Sequence, residues 1–128
     1  MSAEQKLRIA LRANAISSGS FGIAGLAFAA QVVDLLGTGK ELIVRLVAAG
    51  LLGFAAIVVH TSRSPLHRLR SEALLISLGD FGWVTASAVL IAAGLFSPAG
   101  AVVSALIAML VFDFGIAQIY TRAKTAVL

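Results

Sequence analysis

Apolar residues along this chain fall into four long blocks, at about 13–36, 42–60, 73–96 and 99–120. Each is close to the ~20 mainly apolar residues that a helix needs to cross a bilayer. The breaks between the blocks carry helix punctuation. Gly37-Thr38-Gly39 separates the first two, with Gly37 placed to end a helix in the left-handed conformation and Thr38 with Glu41 spaced as a capping box. Ser64-Pro65 and Ser97-Pro98 each put a capping serine before a proline at the first helical position. Ser2 with Gln5 forms a further capping box, which would start the first helix near residue 3. The pattern predicts an all-α protein of 128 residues, one integral membrane domain forming a four-helix transmembrane bundle.

Composition agrees with the pattern. Of the residues, 59% are hydrophobic and 12% charged, against about 45–50% and about 25% in an ordinary soluble domain. The mean hydropathy is +0.99. This excludes a soluble enzyme, a disordered chain and a nucleic-acid binder. The absence of cysteine excludes disulfides, thiolate metal sites and thiol catalysis. Lys6, Arg8 and Arg12 before an apolar run, with Ala27-Phe28-Ala29 after it, imitate a cleavable signal. Asn14, Ser17, Ser18 and Ser20 are too polar for the hydrophobic region of one.

The basic residues are unevenly placed. Lys6, Arg8 and Arg12 precede the first block, Arg63, Arg68 and Arg70 lie between the second and third, and Arg122 and Lys124 follow the fourth. Only Lys40 and Arg45 lie on the other side. The positive-inside rule puts both termini and the middle loop in the cytoplasm. The outer turns are short, which excludes a recognition ectodomain. There, Asp34 and Arg45 flank one turn and are expected to pair.

An internal repeat appears on a shift of 60 residues. Ile16-Ser17-Ser18-Gly19-Ser20-Phe21-Gly22 lies over Ile76-Ser77-Leu78-Gly79-Asp80-Phe81-Gly82, identical at five of seven positions. Leu46, Ala48, Phe54 and Thr61 fall on Leu106, Ala108, Phe114 and Thr121. The expectation is two duplicated helical hairpins related by an axis along the membrane normal. Close backbone approach is what stabilises helix pairs in lipid, and small residues permit it. Gly19, Gly22, Gly25, Gly53, Gly79 and Gly82 are the candidates for such packing, within one chain or between copies.

The candidate chemistry rests on Asp80 and Asp113. By residue count each lies about 10–12 Å inward from the basic end of its helix. An ionised aspartate at the helix centre costs on the order of 2.5–3.5 kcal/mol in the bilayer, so neither is expected to face lipid. The expectation is a single polar cluster of Asp80 and Asp113 with Gln118 or Arg12 within reach and Asn14, Ser17, Ser20 and Tyr120 as further partners from the same leaflet; Arg12 either reaches inward as counter-ion or snorkels outward to lipid phosphate. His60 and His67 have no metal- or haem-ligand spacing. Trp83 reads as a packed aromatic. Catalytic motifs are lacking, so no catalytic residue, metal or cofactor is expected.

Arg12-Ala13-Asn14-Ala15, four spans and Asp80-Phe81-Gly82-Trp83-Val84 together resemble small four-span proteins of the bacterial inner membrane. That resemblance implies a four-helix fold in that membrane and carries no activity. The helix-one glutamate of small multidrug transporters and the cysteine pair of quinone-linked thiol oxidoreductases are lacking. Two functions are therefore expected in order. The first is a non-enzymatic accessory or self-associating module, partnered by the bilayer and by its own copies or a larger membrane complex. The second is a minimal proton-coupled carrier or lipid-handling protein using Asp80 and Asp113.

Overall fold

The computed structural model describes residues 1–37 and 39–125. Five helices follow one another: α1 (Ala3–Ala27), α2 (Ala29–Leu36), α3 (Glu41–Ser62), α4 (Leu66–Ala92) and α5 (Pro98–Lys124). The last three are long and apolar enough to cross a membrane; α1 with α2 makes a fourth only as one span bent by 97°. At 1.5 Å per residue, α3 is about 33 Å long and α4 and α5 about 40 Å, against a hydrocarbon core of about 30 Å.

The first apolar block is thus not one straight span. Its helix begins at Ala3, where the Ser2 hydroxyl accepts from the Gln5 amide at 3.2 Å and the Gln5 side chain accepts from the Ser2 amide at 3.0 Å. It breaks at Phe28, which leaves the helical region at φ −125°, ψ 37°. No proline or glycine stands at the break. What holds the bend is docking of the far end of α2 onto α5. The Ser97 amide donates to Leu36 O at 2.8 Å and its hydroxyl donates to Leu35 O at 2.7 Å. The same hydroxyl accepts from the Gly100 amide at 3.0 Å, the N-cap that Ser97-Pro98 predicted. A Cβ on Gly100 would lie 2.7 Å from Leu36 Cα, so only glycine lets the two backbones meet.

Other breaks differ in detail. At α4 Pro65, not Ser64, is the N-cap, and the Ser64 hydroxyl turns to His60 O and Glu72 instead. At α3 the N-cap is Lys40 without a side-chain cap, while Thr38 lies outside the described residues. The α4 helix ends at Ala92, short of residue 96, and Gly94 at φ 72° turns the chain.

In packing, α1 runs along α3 and also touches α5, α4 lies on α5, and α3 meets α4 only lightly. The buried face of α1 is Leu7, Leu11, Asn14, Ser18, Gly22 and Gly25, a stripe at three- and four-residue spacing. Its chemistry changes along its length. Leu7 and Leu11 join Val58, Leu69 and Ile76 in the apolar core near the basic end. Asn14 and Ser18 follow, and the glycines come last. Large apolar residues such as Ile16, Ile23, Leu46, Ile57, Leu75 and Met109 point outward. That inversion suits a bundle whose solvent is lipid, where apolar contact gives helices no reason to associate.

The candidate packing glycines divide. A Cβ on Gly22 would lie 2.8 Å from Ala48 O, and one on Gly25 2.8 Å from Ala48 Cβ, so α1 and α3 cross there. A Cβ on Gly19 would meet Ala55 Cβ, and one on Gly79 a Phe54 ring carbon, each at an ordinary 3.7 Å. A Cβ on Gly53 or Gly82 would meet nothing within 4 Å among the described residues. Gly100 and Gly115 take the close contacts instead, Gly115 because the Phe81 ring lies over it and a Cβ there would sit 2.7 Å from a ring carbon.

The positions aligned by the 60-residue shift agree only in part. Ala48 and Ala108 are both buried, Leu46 and Leu106 both exposed and Phe54 and Phe114 both half-buried, but Thr61 is buried where Thr121 is half-buried. Within the seven-residue motif the faces differ: Ser18 and Gly22 are buried but Leu78 and Gly82 exposed, whereas Ile76 and Asp80 are buried but Ile16 and Ser20 exposed.

Candidate intramembrane polar cluster

Three helices bring polar side chains to one buried point. Asn14 comes from α1, Ser77 and Asp80 from one face of α4, and Gln118 from α5. All lie at 3% exposure or less. Asn14 Nδ2 donates to Asp80 Oδ2 at 2.9 Å and to Gln118 Oε1 at 2.8 Å. Gln118 Nε2 donates to the same Asp80 Oδ2 at 3.0 Å and to Ser77 Oγ at 2.9 Å. Ser18 donates to Asn14 Oδ1 at 3.2 Å, and Ser77 donates to Gly115 O at 3.3 Å.

Each amide has two N–H groups, and all four are used. Two of them converge on a single carboxylate oxygen. No described buried side-chain nitrogen or oxygen is left without a partner. The arrangement is a closed clasp that ties α1 to the α4–α5 pair.

Of the four residues expected in this cluster, Asp80 and Gln118 are in it and Arg12 and Asp113 are not. Both of the latter are exposed. Helical geometry gives the reason. Arg12 is two residues from Asn14 and so about 200° away around α1; Asp113 is five residues from Gln118, about 140° away around α5. Counting from the helix ends misjudged depth as well as direction: Asp80 bonds to Gln118 directly, whereas Asp113 lies five residues, about 7–8 Å, further along α5. Among the partners considered, Asn14 joins it, whereas Ser20 and Tyr120 are exposed. Ser77 and Ser18 were missed; both sit one turn from a cluster member, at three- or four-residue spacing.

The expected outer-face pair of Asp34 and Arg45 is not formed among the described residues. Arg45 lies 3.5 Å from Glu41, one turn back on its own helix, and Asp34 is exposed on the bent α2.

A second polar knot lies at the basic end and was not anticipated. Glu72 accepts from Thr61 at 2.9 Å and from Arg68 at 3.2 Å, joining α3 to α4. Arg8 donates to Ser62 O at 2.8 Å, covering a carbonyl at the end of α3. Arg122 donates to Arg70 O, and Arg70 to Thr125. Beside this knot, where α3 and α4 separate, an open groove of about 520 Å³ is walled by Phe54, Ile57, Leu75 and Ile76, with His60, Thr61 and Glu72 at its polar end. His67 is exposed in the first turn of α4, and Trp83 is half-buried one turn beyond Asp80.

Comparison with protein-family models, with curated proteins and with solved structures finds no match to this chain.

Proposed function

We propose that the chain is a small non-enzymatic integral membrane protein of a bacterial inner membrane that works by association, as an accessory subunit of a larger complex or as a self-associating module. One observation carries this reading: the interior polar groups are satisfied while an acid is left on the outside. Asp113 is exposed about 22 Å from the Pro98 end of α5 and about 16 Å from the Lys124 end. Facing hydrocarbon as an ion it costs on the order of 2.5–3.5 kcal/mol, which a second helix covering it would remove. The exposed, open Gly53 and Gly82 add surface where another backbone can approach closely.

Both termini face the cytoplasm in this reading. Its support is the eight-to-two split of basic residues and the bonds from Arg8 to Ser62 and from Arg70 to Thr125, which gather the N-terminus, the α3–α4 loop and the end of α5 at one end. We also read the matched Ile16–Gly22 and Ile76–Gly82 segments as descended from a duplicated hairpin. Identity carries that, since the two copies turn different faces inward.

A second reading is favoured by the α3–α4 groove. Its apolar walls and polar end suit an acyl chain, so a lipid-handling role is the alternative. The proton-carrier form of that alternative now rests on Asp80 alone, because Asp113 is on another face.

The native mass of the particle, extracted with its surrounding lipid, separates the readings. Association predicts a particle holding more protein than one 13.2 kDa chain. A single chain with stoichiometric bound lipid favours the alternative.

A further inference from the structure

We infer that the outer face of α5 docks a membrane-spanning helix of another protein, one that carries a lysine or arginine level with Asp113. The inference rests on the association reading above and names the partner's chemistry. The face consists of Val102, Leu106, Met109, Asp113, Ile116 and Tyr120, spaced alternately four and three residues apart, and all are exposed. This is the seven-residue spacing of a helix-pairing seam. Any bundle helix shows lipid such a stripe; the acid at its centre is what lipid alone does not explain. A single polar residue in a seam fixes register and chooses the partner.

Charge complementarity decides what covers it. A second copy inserted the same way would set Asp113 against Asp113, two like groups in a low dielectric. No other exposed ionisable group among the described residues reaches that level. The Asn14–Gln118 hydrogen bond of 2.8 Å sets those two residues at one depth. Asp113 lies about 7–8 Å deeper than Gln118, and Arg12 about 3 Å shallower than Asn14. The other exposed cations lie still nearer the helix ends: Lys6, Arg63, Arg68 and Lys124 at one, Lys40 and Arg45 at the other. The seam itself offers no hydrogen-bond donor nearer than Tyr120, about 10 Å along the axis. The cation therefore comes from a different chain. An acid–base pair in hydrocarbon is specific because each member is costly alone.

The chain has no cysteine, so an Arg63→Cys variant takes one donor dye in an exposed loop. It is reconstituted in phosphatidylcholine vesicles with acceptor-labelled polyleucine helices. One helix has a single lysine near its middle, level with Asp113, one has none, and one has the lysine at its extreme terminus. Energy transfer is expected at roughly tenfold lower density for the first helix than for the other two. Asp113→Leu is expected to abolish the preference. Equal transfer to all three helices, or a preference that survives Asp113→Leu, overturns the inference. So does Ile116→Cys cross-linking to itself in vesicles without added helix in a manner lost on Asp113→Leu, which would make the seam a homodimer interface and leave the association reading standing. If the native particle is a single chain, the association reading itself fails.

Discussion

Replacing Asp80 with leucine tests whether the buried clasp holds the bundle together. The substitution removes the oxygen that accepts from Asn14 at 2.9 Å and from Gln118 at 3.0 Å. Two amide hydrogens are then left without partners in a site closed to water. Side-chain hydrogen bonds between helices in a bilayer are worth about 0.6 kcal/mol on average and at most about 1.7 kcal/mol. Two such bonds give an expected loss of about 1–3 kcal/mol. The upper half applies if the amides cannot turn elsewhere, and the four-way use of their N–H groups leaves them few alternatives. Asp80→Asn keeps an acceptor oxygen at the same place and is expected to lose less than about 1 kcal/mol, the order of one neutral hydrogen bond. Trp83, the single tryptophan, lies three residues along α4 and serves as the reporter. The assay is reversible unfolding in mixed micelles on titration with a denaturing detergent, followed by its fluorescence. Asn14→Ala combined with Asp80→Leu should be less damaging than the sum of the two, with a coupling of about 0.5–3 kcal/mol. An Asp80→Leu protein as stable as the parent, or strict additivity in the pair, would refute the clasp.

Three further outcomes follow from the geometry. Gly22→Leu is expected to separate α1 from α3, because even a Cβ would sit 2.8 Å from Ala48 O, whereas Gly53→Ala and Gly82→Ala meet nothing within 4 Å and should leave the same unfolding curve within about 0.5 kcal/mol. Ser97→Ala loses the α5 cap and the bond to Leu35 O and should cost about 1 kcal/mol or more, with faster hydrogen exchange at the Gly100 amide as the direct sign. Asp113→Leu should stabilise the isolated chain in a bilayer by up to about 2–3 kcal/mol, since it removes an acid from a lipid-facing surface; a loss of stability there would mean that Asp113 already has a partner within its own chain.

Much of this structure can be read from the residues, and the unread part has a common cause. Long apolar runs, the Ser2–Gln5 box and Ser97-Pro98 announce helices through local chemistry, and α1 and α5 start where their capping serines place them. Asp80 and Gln118 stand out because polar groups are costly in hydrocarbon wherever they lie. The bend at Phe28 leaves no local mark, since it is held by Leu35 and Leu36 meeting Ser97 and Gly100, more than sixty residues away. Counted from the ends of their apolar blocks, Asp113 and Asp80 look alike; the angle around each helix turns only Asp80 inward, and the packing of α4 on α5 sets Asp113 about 7–8 Å deeper than the cluster. That angle is legible on α1, where Leu7, Leu11, Asn14, Ser18, Gly22 and Gly25 trace one stripe that leaves Arg12 outside it. On α4 and α5 no such stripe is evident, because both faces are apolar and small residues are scattered over them. Gly100 and Gly115 were passed over for the same reason: an isolated glycine carries no pairing pattern, and what it meets is decided by Leu36 and Phe81 from elsewhere in the chain.

The central claim is that the Asp113 face of α5 is covered by another helix in the membrane where the protein works. A spin label on a Met109→Cys variant, one turn from Asp113 and on the same exposed face, reads that directly through collisions with oxygen dissolved in the lipid. Measured in membranes from cells of the native host, the label should be shielded, and in vesicles holding the purified chain alone it should be open to lipid. Equal, high oxygen accessibility in both settings would contradict the account.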